Sequence, residues 1–412
     1  MLTAYLKRET TRTSYYASPA GSYLDEFTDW LARCGFHEEV ICQYLPGTIR
    51  FAAWGEKTYG NLTSLSADAL NHFRVHLAKC GRLLYSRGQH SVHWLSAQHF
   101  VEFLRLQHKI VNAETPLQPK LALLDLFEHW MQTHRGVKPS TLNNYQPHIV
   151  ELLSTLGESA EQLEASALHS FILTYAKGRS HAVTKNRVTA IRMFLRFLIA
   201  TERCRPGLEA AIPAIAEWPL ARLPRYLRTE DVERVLAGCA CTTPIGIRDN
   251  AILLLLARLG LRASEVAQLK FPDIDWSRGT FTVVGKSRRE AKLPLPQDVG
   301  DALLKYIEHA RPFVETNRVF ITANAPWRPV TRYVVKQVAA HAIRRAGVNA
   351  PSYGAHVLRH SAATTMLRQG ASLQVIGEVL RHSCIETTAH YAKVDILLLQ
   401  EVARPWPGAA SC

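Results

Sequence analysis

Breaking a phosphodiester bond without a metal needs a nucleophile, cations to stabilise charge on the transferring phosphoryl group, and a proton donor for the departing oxygen. This chain offers candidates for each in Arg262, Lys286, His356, Arg359, His382 and Tyr391. Arg262 lies in Leu259-Gly-Leu-Arg-Ala-Ser-Glu265, beside an apolar run, and Lys286 lies in the polar turn Gly285-Lys-Ser-Arg-Arg289. His356-Val-Leu-Arg359-His360 opens another helical stretch, and His382 and Tyr391 follow it. Taken singly, an Arg–Glu pair is usually a helix-surface ion pair, a hairpin lysine a turn residue and a tyrosine a packing group. The chemistry requires that five separate segments converge.

The elements that would bring them together can be read from periodicity. The strand patterns Thr280-Phe-Thr-Val-Val284 and Ala291-Lys-Leu-Pro-Leu295 flank the polar turn, and Pro294 makes the second an edge or ends it there. A helix is expected from near Thr229, with the Thr229 hydroxyl as its cap and Glu230 and Asp231 favouring its positive end. Pro206, Pro213, Pro219 and Pro224 predict an extended connector over 205–227. Upstream of it, Leu24-Asp25-x-Phe27-x-x-Trp30 recurs as Leu124-Asp125-x-Phe127-x-x-Trp130, an offset of 100 residues. Further anchors keep their order: Tyr44 with Tyr145, Ala69-Leu70-x-x-Phe73 with Ala167-Leu168-x-x-Phe171, and Phe100-x-x-Phe103-Leu104 with Phe194-x-x-Phe197-Leu198. Apolar spacings of three and four make each copy a small helical bundle.

At 412 residues and 47% hydrophobic, the chain is long enough for two to four domains, and its formal charge of +14 favours a polyanionic partner, nucleic acid before a membrane surface. The longest apolar run, Ala251–Ala257, stops at Arg258, short of the roughly 20 residues of a membrane span. The amino terminus lacks the charged-then-apolar order of a signal peptide, so a cytoplasmic, nucleoid-associated location is expected. Eight cysteines are scattered without a C-x-x-C pair; Cys34, His37 and Cys42 make only an irregular partial set, and no metal is expected. Lys177, Arg179, Lys185, Arg187 and Arg192, interleaved with Val188, Ile191 and Phe194, suit phosphate contacts along a helical stretch. Arg288 and Arg289 add cations at the hairpin tip.

Gly-Leu-Arg262-Ala-Ser-Glu265, Val-Gly-Lys286 in a turn, His356-x-x-Arg359, Leu380-Arg-His382 and Tyr391, in this order and spacing, resemble the signature of the tyrosine site-specific recombinases of the phage-integrase type. The resemblance covers about residues 120–403. It implies that Arg262 and Arg359 hold the non-bridging oxygens of the scissile phosphate, a task for a permanently charged guanidinium fork. It also implies that Lys286 protonates the departing 5′-oxygen, His356 assists proton transfer at the tyrosine, His382 donates a hydrogen bond to the phosphate, and Glu265 orients Arg262. Arg288, Arg289 and Lys292 compete with Lys286 for its role. Tyr391 would form a 3′-phosphotyrosyl link, with no ATP, metal or other cofactor. One departure is Arg381, where the family commonly has glycine before the histidine.

The fold this implies is mainly α with a small β-sheet: an α+β catalytic domain and a helical SAM-like core-binding domain, preceded by a second, similar helical module and together forming a C-shaped DNA clamp. The expected domains are an amino-terminal module at 1–112, a core-binding domain at 117–204, a proline-rich linker at 205–227, a catalytic domain at 228–403 and a tail at 404–412. The apolar segment Asp395–Val402 is expected to dock on a neighbouring protomer. Partners would be double-stranded DNA carrying specific recombination sites, further copies of the chain as a tetramer on two sites, and companion recombinases or DNA-bending proteins. The competing readings are an accessory DNA-binding relative without activity and a phosphohydrolase. The latter rests on the Leu-Arg-His-Ser strings at 358–361 and 380–383, and leaves Arg262 and Lys286 without roles.

Overall fold

The computed structural model describes residues 2–66, 68–81, 91–110, 119–157, 163–215, 224–239, 241–285, 290–382 and 386–392. The chain packs as two units, one of Met1–Trp54, His76–Leu106 and Pro219–Cys412, the other of Gly55–Val75 and Gln107–Trp218. The amino-terminal helices are α1 (Glu9–Tyr16), α2 (Leu24–Arg33), α3 (Glu38–Tyr59), α4 (Ala69–Lys79) and α5 (Val92–Leu106), and the division falls within α3 and α4.

In the first unit α2 buries Leu24, Phe27 and Leu31, the apolar stripe of its sequence, against Phe100, Phe103 and Leu104 of α5. The second unit contains α6 (Pro119–Arg135), α7 (Pro139–Leu156), α8 (Ala165–Ala176) and α9 (His181–Ala200). There Leu124, Phe127 and Met131 of α6 are buried with Phe194, Phe197 and Leu198 of α9. Three aromatic contacts recur at similar spacings in the two sets of helices. Phe27 meets Phe100 edge to face at 5.1 Å, as Phe127 meets Phe194 at 5.4 Å. Phe27–Phe103 and Phe127–Phe197 lie at 5.5 and 5.7 Å, and Trp30–Phe103 and Trp130–Phe197 at 6.0 and 5.9 Å. The recurring motif thus carries the same three ring-to-ring spacings in both sets of helices.

The connector is not wholly extended as its prolines suggested. Leu208–Ala211 form a 3-10 turn, and Ile212 is buried in the core of the second unit, because Leu208, Ile212 and Ile215 carry apolar surface that packs there. The next helix, α10 (Thr229–Ala237), starts where the sequence places it, yet its cap position is Arg228 and no side chain caps it. Glu230 and Asp231 do occupy its first turn.

The rest of the first unit is α11 (Pro244–Arg258), α12 (Ala263–Gln268), β1 (Ile274–Asp275), β2 (Thr280–Val284), β3 (Glu290–Pro294), α13 (Gln297–His309), α14 (Arg332–Arg345), α15 (Ala355–Arg368), α16 (Leu373–Leu380) and α17 (Glu386–Ala392). Thr243 accepts from the Gly246 N–H at 3.1 Å and Pro244 occupies the first turn, so α11 is well started, and Ala251–Ala257 are buried as the apolar run requires. The sheet is antiparallel in the order β1-β2-β3, with Phe281 opposite Leu293 and Val283 opposite Ala291. Phe281, Val283 and Leu293 alternate onto its buried face, and β3 is an edge that ends on Pro294. β1 is only two residues long, too short to leave an alternating pattern in the sequence. Also within this unit, the Trp327 N–H donates to the Cys34 carbonyl at 2.7 Å, and the indole covers Gly35, where an added Cβ would lie 2.3 Å from the ring.

No helix among the described residues is long and apolar enough to cross a membrane. Among the same residues no group of three His, Cys, Asp or Glu could hold a metal, and the Cys42 thiol donates to the Tyr5 carbonyl at 3.2 Å.

Candidate active site

The apolar α11 ends at Arg258, and the chain turns at Gly260, whose φ of +58° suits glycine. A Cβ there would also lie 2.6 Å from Leu380, so the turn packs directly against the end of α16. This turn sets Arg262 at the start of α12. The Arg262 N–H donates to Glu265 Oε2 and its Nη1 to Glu265 Oε1, both at 2.8 Å, while Nη2 reaches the Arg381 carbonyl at 3.1 Å. Glu265, buried to 2% side-chain exposure, therefore orients Arg262 through both backbone and guanidinium.

Arg359, on α15, is 4% exposed and donates through Nη1 to the Gly260 carbonyl and through Nη2 to the Leu380 carbonyl. Two backbone carbonyls from separate segments thus hold the second guanidinium beside the first. Burial pushes the pKa of Arg359 down to about 10, with Arg262 and Arg381 adding repulsion. It remains charged at neutral pH.

The α16–α17 connection carries the remaining groups. Arg381 closes α16 in the left-handed region, with φ +57° and ψ +50°, and the His382 N–H donates to the Gly377 carbonyl at 2.9 Å. Glycine adopts this conformation freely, whereas another residue pays roughly 1–2 kcal/mol. The Arg381 guanidinium turns inward and binds Glu265 Oε2 at 2.6 Å, so that Glu265 bridges Arg262 and Arg381. Burial raises the Glu265 carboxyl, but the charge of Arg381 and the hydrogen bonds from Arg262 and Arg381 outweigh it and hold the group below its ordinary value.

His382 Nδ1 lies 2.8 Å from Thr388 Oγ1 on α17, and its ring is nearly parallel to that of Tyr391 at 6.3 Å. Burial, then Arg359 and Arg262, lower the His382 pKa to about 4. The imidazole is neutral at pH 7, and if Thr388 donates to Nδ1, Nε2 carries the proton and can donate to an anion. Between pH 6.5 and 4 the unfolded chain then binds a proton that the folded one refuses, so His382 subtracts stability as pH falls through that window. His382→Asn is expected to flatten the dependence of Tm on pH between 6.5 and 4; an identical slope for parent and variant would refute the assignment.

Tyr391, on α17, is 2% exposed. Its hydroxyl lies 2.8 Å from His360 Nδ1, with ring centroids 5.6 Å apart. Burial raises the phenol pKa, and Arg359 and Arg262 oppose that rise. His356 stands one turn before His360, with rings 6.4 Å apart, and burial followed by Arg359, Lys336 and Arg262 lowers its pKa. Five of the six expected catalytic residues, with Glu265, therefore lie on the converging segments α12, α15, the end of α16 and α17. Lys286, Arg288 and Arg289 lie outside the described residues, as does Asp395–Val402. Lys292, the competitor on β3, is exposed and 3.9 Å from Asp275.

Of the cations expected to meet phosphate, Lys177, Arg179 and Lys185 are exposed, and the Arg179 guanidinium lies over the Tyr175 ring at 4.3 Å. Arg192 is half-buried, and its Nη2 reaches the Ile212 carbonyl at 3.4 Å. Arg187 requires a correction. It is 1% exposed, paired with Glu151 at 2.7 Å and enclosed by the Phe171 and Tyr175 rings, so it holds α7, α8 and α9 together rather than presenting charge outward. Sequence reading also passed over His360 and Thr388. The adjacency of His360 to Arg359 was visible, but which of two histidines one helical turn apart meets the tyrosine was not.

Residues 225–396 match the phage integrase family, and residues 124–202 match the phage integrase N-terminal SAM-like domain. A Sinorhizobium fredii protein, y4rA, assigned by name as an integrase/recombinase, is 35% identical over 402 residues, 95% of this chain and 96% of that one. The tyrosine recombinase XerD of Listeria innocua is 28% identical over 291 residues, 68% of this chain and 96% of XerD. Among solved structures, the XerH site-specific recombinase bound to a palindromic difH substrate in a post-cleavage complex shares the fold, with a TM-score of 0.56 at 21% identity over 74% of this chain and 94% of that one. A lambda integrase dimer (residues 75–356) bound to a core site does so at TM-score 0.53 and 18% identity, over 71% and 99% of the two chains.

Proposed function

The chain belongs to the phage integrase family, and on that premise we propose that it is a site-specific DNA recombinase that cuts and rejoins strands through Tyr391. The observation that carries the proposal is the convergence of Arg262, Arg359, His382 and Tyr391 from four segments, with the two arginines held by Glu265 and by backbone carbonyls.

In this reading Arg262 and Arg359 bind the non-bridging oxygens of the scissile phosphate. Arg359 spends two N–H groups on carbonyls, which fixes its fork before substrate arrives and leaves other N–H groups for the phosphate. Neutral His382 donates a further hydrogen bond. Tyr391 Oη bonds to phosphorus as the bond to the 5′-oxygen breaks, Lys286 supplies the proton to that oxygen, and a 3′-phosphotyrosyl link stores the bond energy. Attack by a free 5′-hydroxyl of another strand reverses the step without ATP. The exposed Lys177, Arg179 and Lys185 belong to the helical unit that holds the duplex, as phosphate contacts that position rather than specify. We assign it a nucleoid-associated location and assembly as a tetramer on two sites. The amino-terminal module at 1–112 serves as an additional DNA or partner contact.

The test is covalent trapping. The protein is incubated in EDTA with nicked duplexes from the DNA flanking its gene, labelled on either side of the nick, and resolved after SDS. An adduct that retains only label joined through the 3′-phosphate is the expected result. A cut that appears only with added divalent metal, or DNA binding without any adduct, would sink the proposal.

A further inference from the structure

α15 carries two histidines, His356 and His360, on the segment that meets the nucleophile. His360 Nδ1 lies 2.8 Å from Tyr391 Oη. His356 is one turn away, its ring 6.4 Å from that of His360. The arrangement follows from helix geometry. Arg359 and His360 are about 100° apart around α15, so while Arg359 points to the Gly260 and Leu380 carbonyls, His360 faces α17 and its tyrosine.

We propose that His360, rather than His356, accepts the Tyr391 phenolic proton as Oη attacks phosphorus. The inference rests on the recombinase reading and names a residue that the family signature in this chain left without a role. As the Oη–P bond forms and the P–O5′ bond breaks, the phenolic proton passes to Nδ1 and leaves an imidazolium. The 5′-oxygen takes its proton from a different donor, Lys286. On rejoining, Nδ1 returns the proton to Oη as the P–Oη bond breaks. The step requires the neutral tautomer with its proton on Nε2, so that the Nδ1 lone pair points at the hydroxyl.

Two features support an acceptor here. Tyr391 is 2% exposed, so water has little access to its hydroxyl, and burial raises its pKa, so at neutral pH the nucleophile is the phenol and not the phenolate. A proton acceptor within hydrogen-bond reach is therefore needed, and a positioned base contributes about a hundred- to ten-thousand-fold to rate.

Single-turnover adduct formation on a nicked duplex should be compared for the parent, His360→Asn, His360→Ala and His356→Asn, with DNA affinity and Tm measured for each. His360→Asn is expected to slow adduct formation by about a hundredfold or more, with DNA affinity unchanged, and His356→Asn to slow it less. Imidazole added to His360→Ala is expected to restore part of the rate, which a purely structural role for the side chain would not allow. Adduct formation by His360→Asn within threefold of the parent, a larger defect in His356→Asn, or no rescue of His360→Ala by imidazole would overturn the assignment while leaving the recombinase reading intact. Absence of an adduct with the parent itself would overturn both.

Discussion

Tyr391→Phe is expected to abolish the covalent adduct while leaving DNA binding within about twofold of the parent. The substitution keeps the buried ring, which stacks near His382, and removes only the hydroxyl that lies 2.8 Å from His360. The structural cost is one hydrogen bond, about 1 kcal/mol. The chemical cost is the nucleophile itself, so the rate of strand cleavage should fall by at least about a thousandfold, as when the nucleophile of a covalent mechanism is removed. Quantitative gel shift and the denaturing trapping assay measure the two separately. An adduct that persists in Tyr391→Phe would mean that another residue attacks phosphorus. Loss of DNA binding in step with loss of the adduct would mean that the phenylalanine variant is misfolded or that Tyr391 belongs to the binding surface.

Glu265→Ala is expected to cost about 3–5 kcal/mol of stability, the range for removing one partner of a buried ion pair. Glu265 is the anion shared by Arg262 and Arg381, with its side chain 2% exposed and that of Arg381 7% exposed. Arg359, itself buried, already feels both positive neighbours. Without the carboxylate, three guanidinium groups face one another in a setting from which water is largely excluded. Glu265→Gln retains the shape and some hydrogen bonds and should cost less. The arrangement also fixes the sign of an acid effect. The Glu265 carboxyl is held below its ordinary value, so its contribution is present above the unfolded pKa of about 4.3 and is lost as pH falls through the lower folded value. Urea denaturation of the parent, Glu265→Ala, Arg381→Gly and the double variant closes a cycle. The double variant should recover part of the loss, because removing Arg381 removes an uncompensated charge and also a left-handed residue. A loss below about 1 kcal/mol in Glu265→Ala would contradict the shared-anion account.

Arg381 shows how a departure from a family pattern becomes interpretable. In the sequence it is a large side chain where glycine is usual. In the structure it accepts the backbone strain of a left-handed helix cap, offers its carbonyl to Arg262 and places its guanidinium on Glu265. Its side chain thus becomes part of the scaffold that positions Arg262.

Much of this protein is decided locally, and the sequence alone determined it. The residue types and spacing of Gly260-Leu-Arg262, His356-x-x-Arg359, His382 and Tyr391 carry the reaction class, because a guanidinium, an imidazole and a phenol keep their chemistry in any fold. The stripe of Leu24, Phe27 and Leu31, repeated as Leu124, Phe127 and Met131, determined helices with one buried face, and the alternating strand patterns at Thr280–Val284 and 291–295 determined a pair of strands. What only the tertiary structure decided is where side chains point once elements pack. Arg187 sits in a run that reads as a charged helix face, yet Glu151, Phe171 and Tyr175, brought from two other helices, make the interior its better environment. Leu208 and Ile212 drew part of a proline-rich connector into a core. The family signature points to His356 at the tyrosine, and the packing of α15 against α17 places His360 Nδ1 2.8 Å from the Tyr391 hydroxyl. Such outcomes depend on distances between residues far apart in sequence, and no local pattern encodes them.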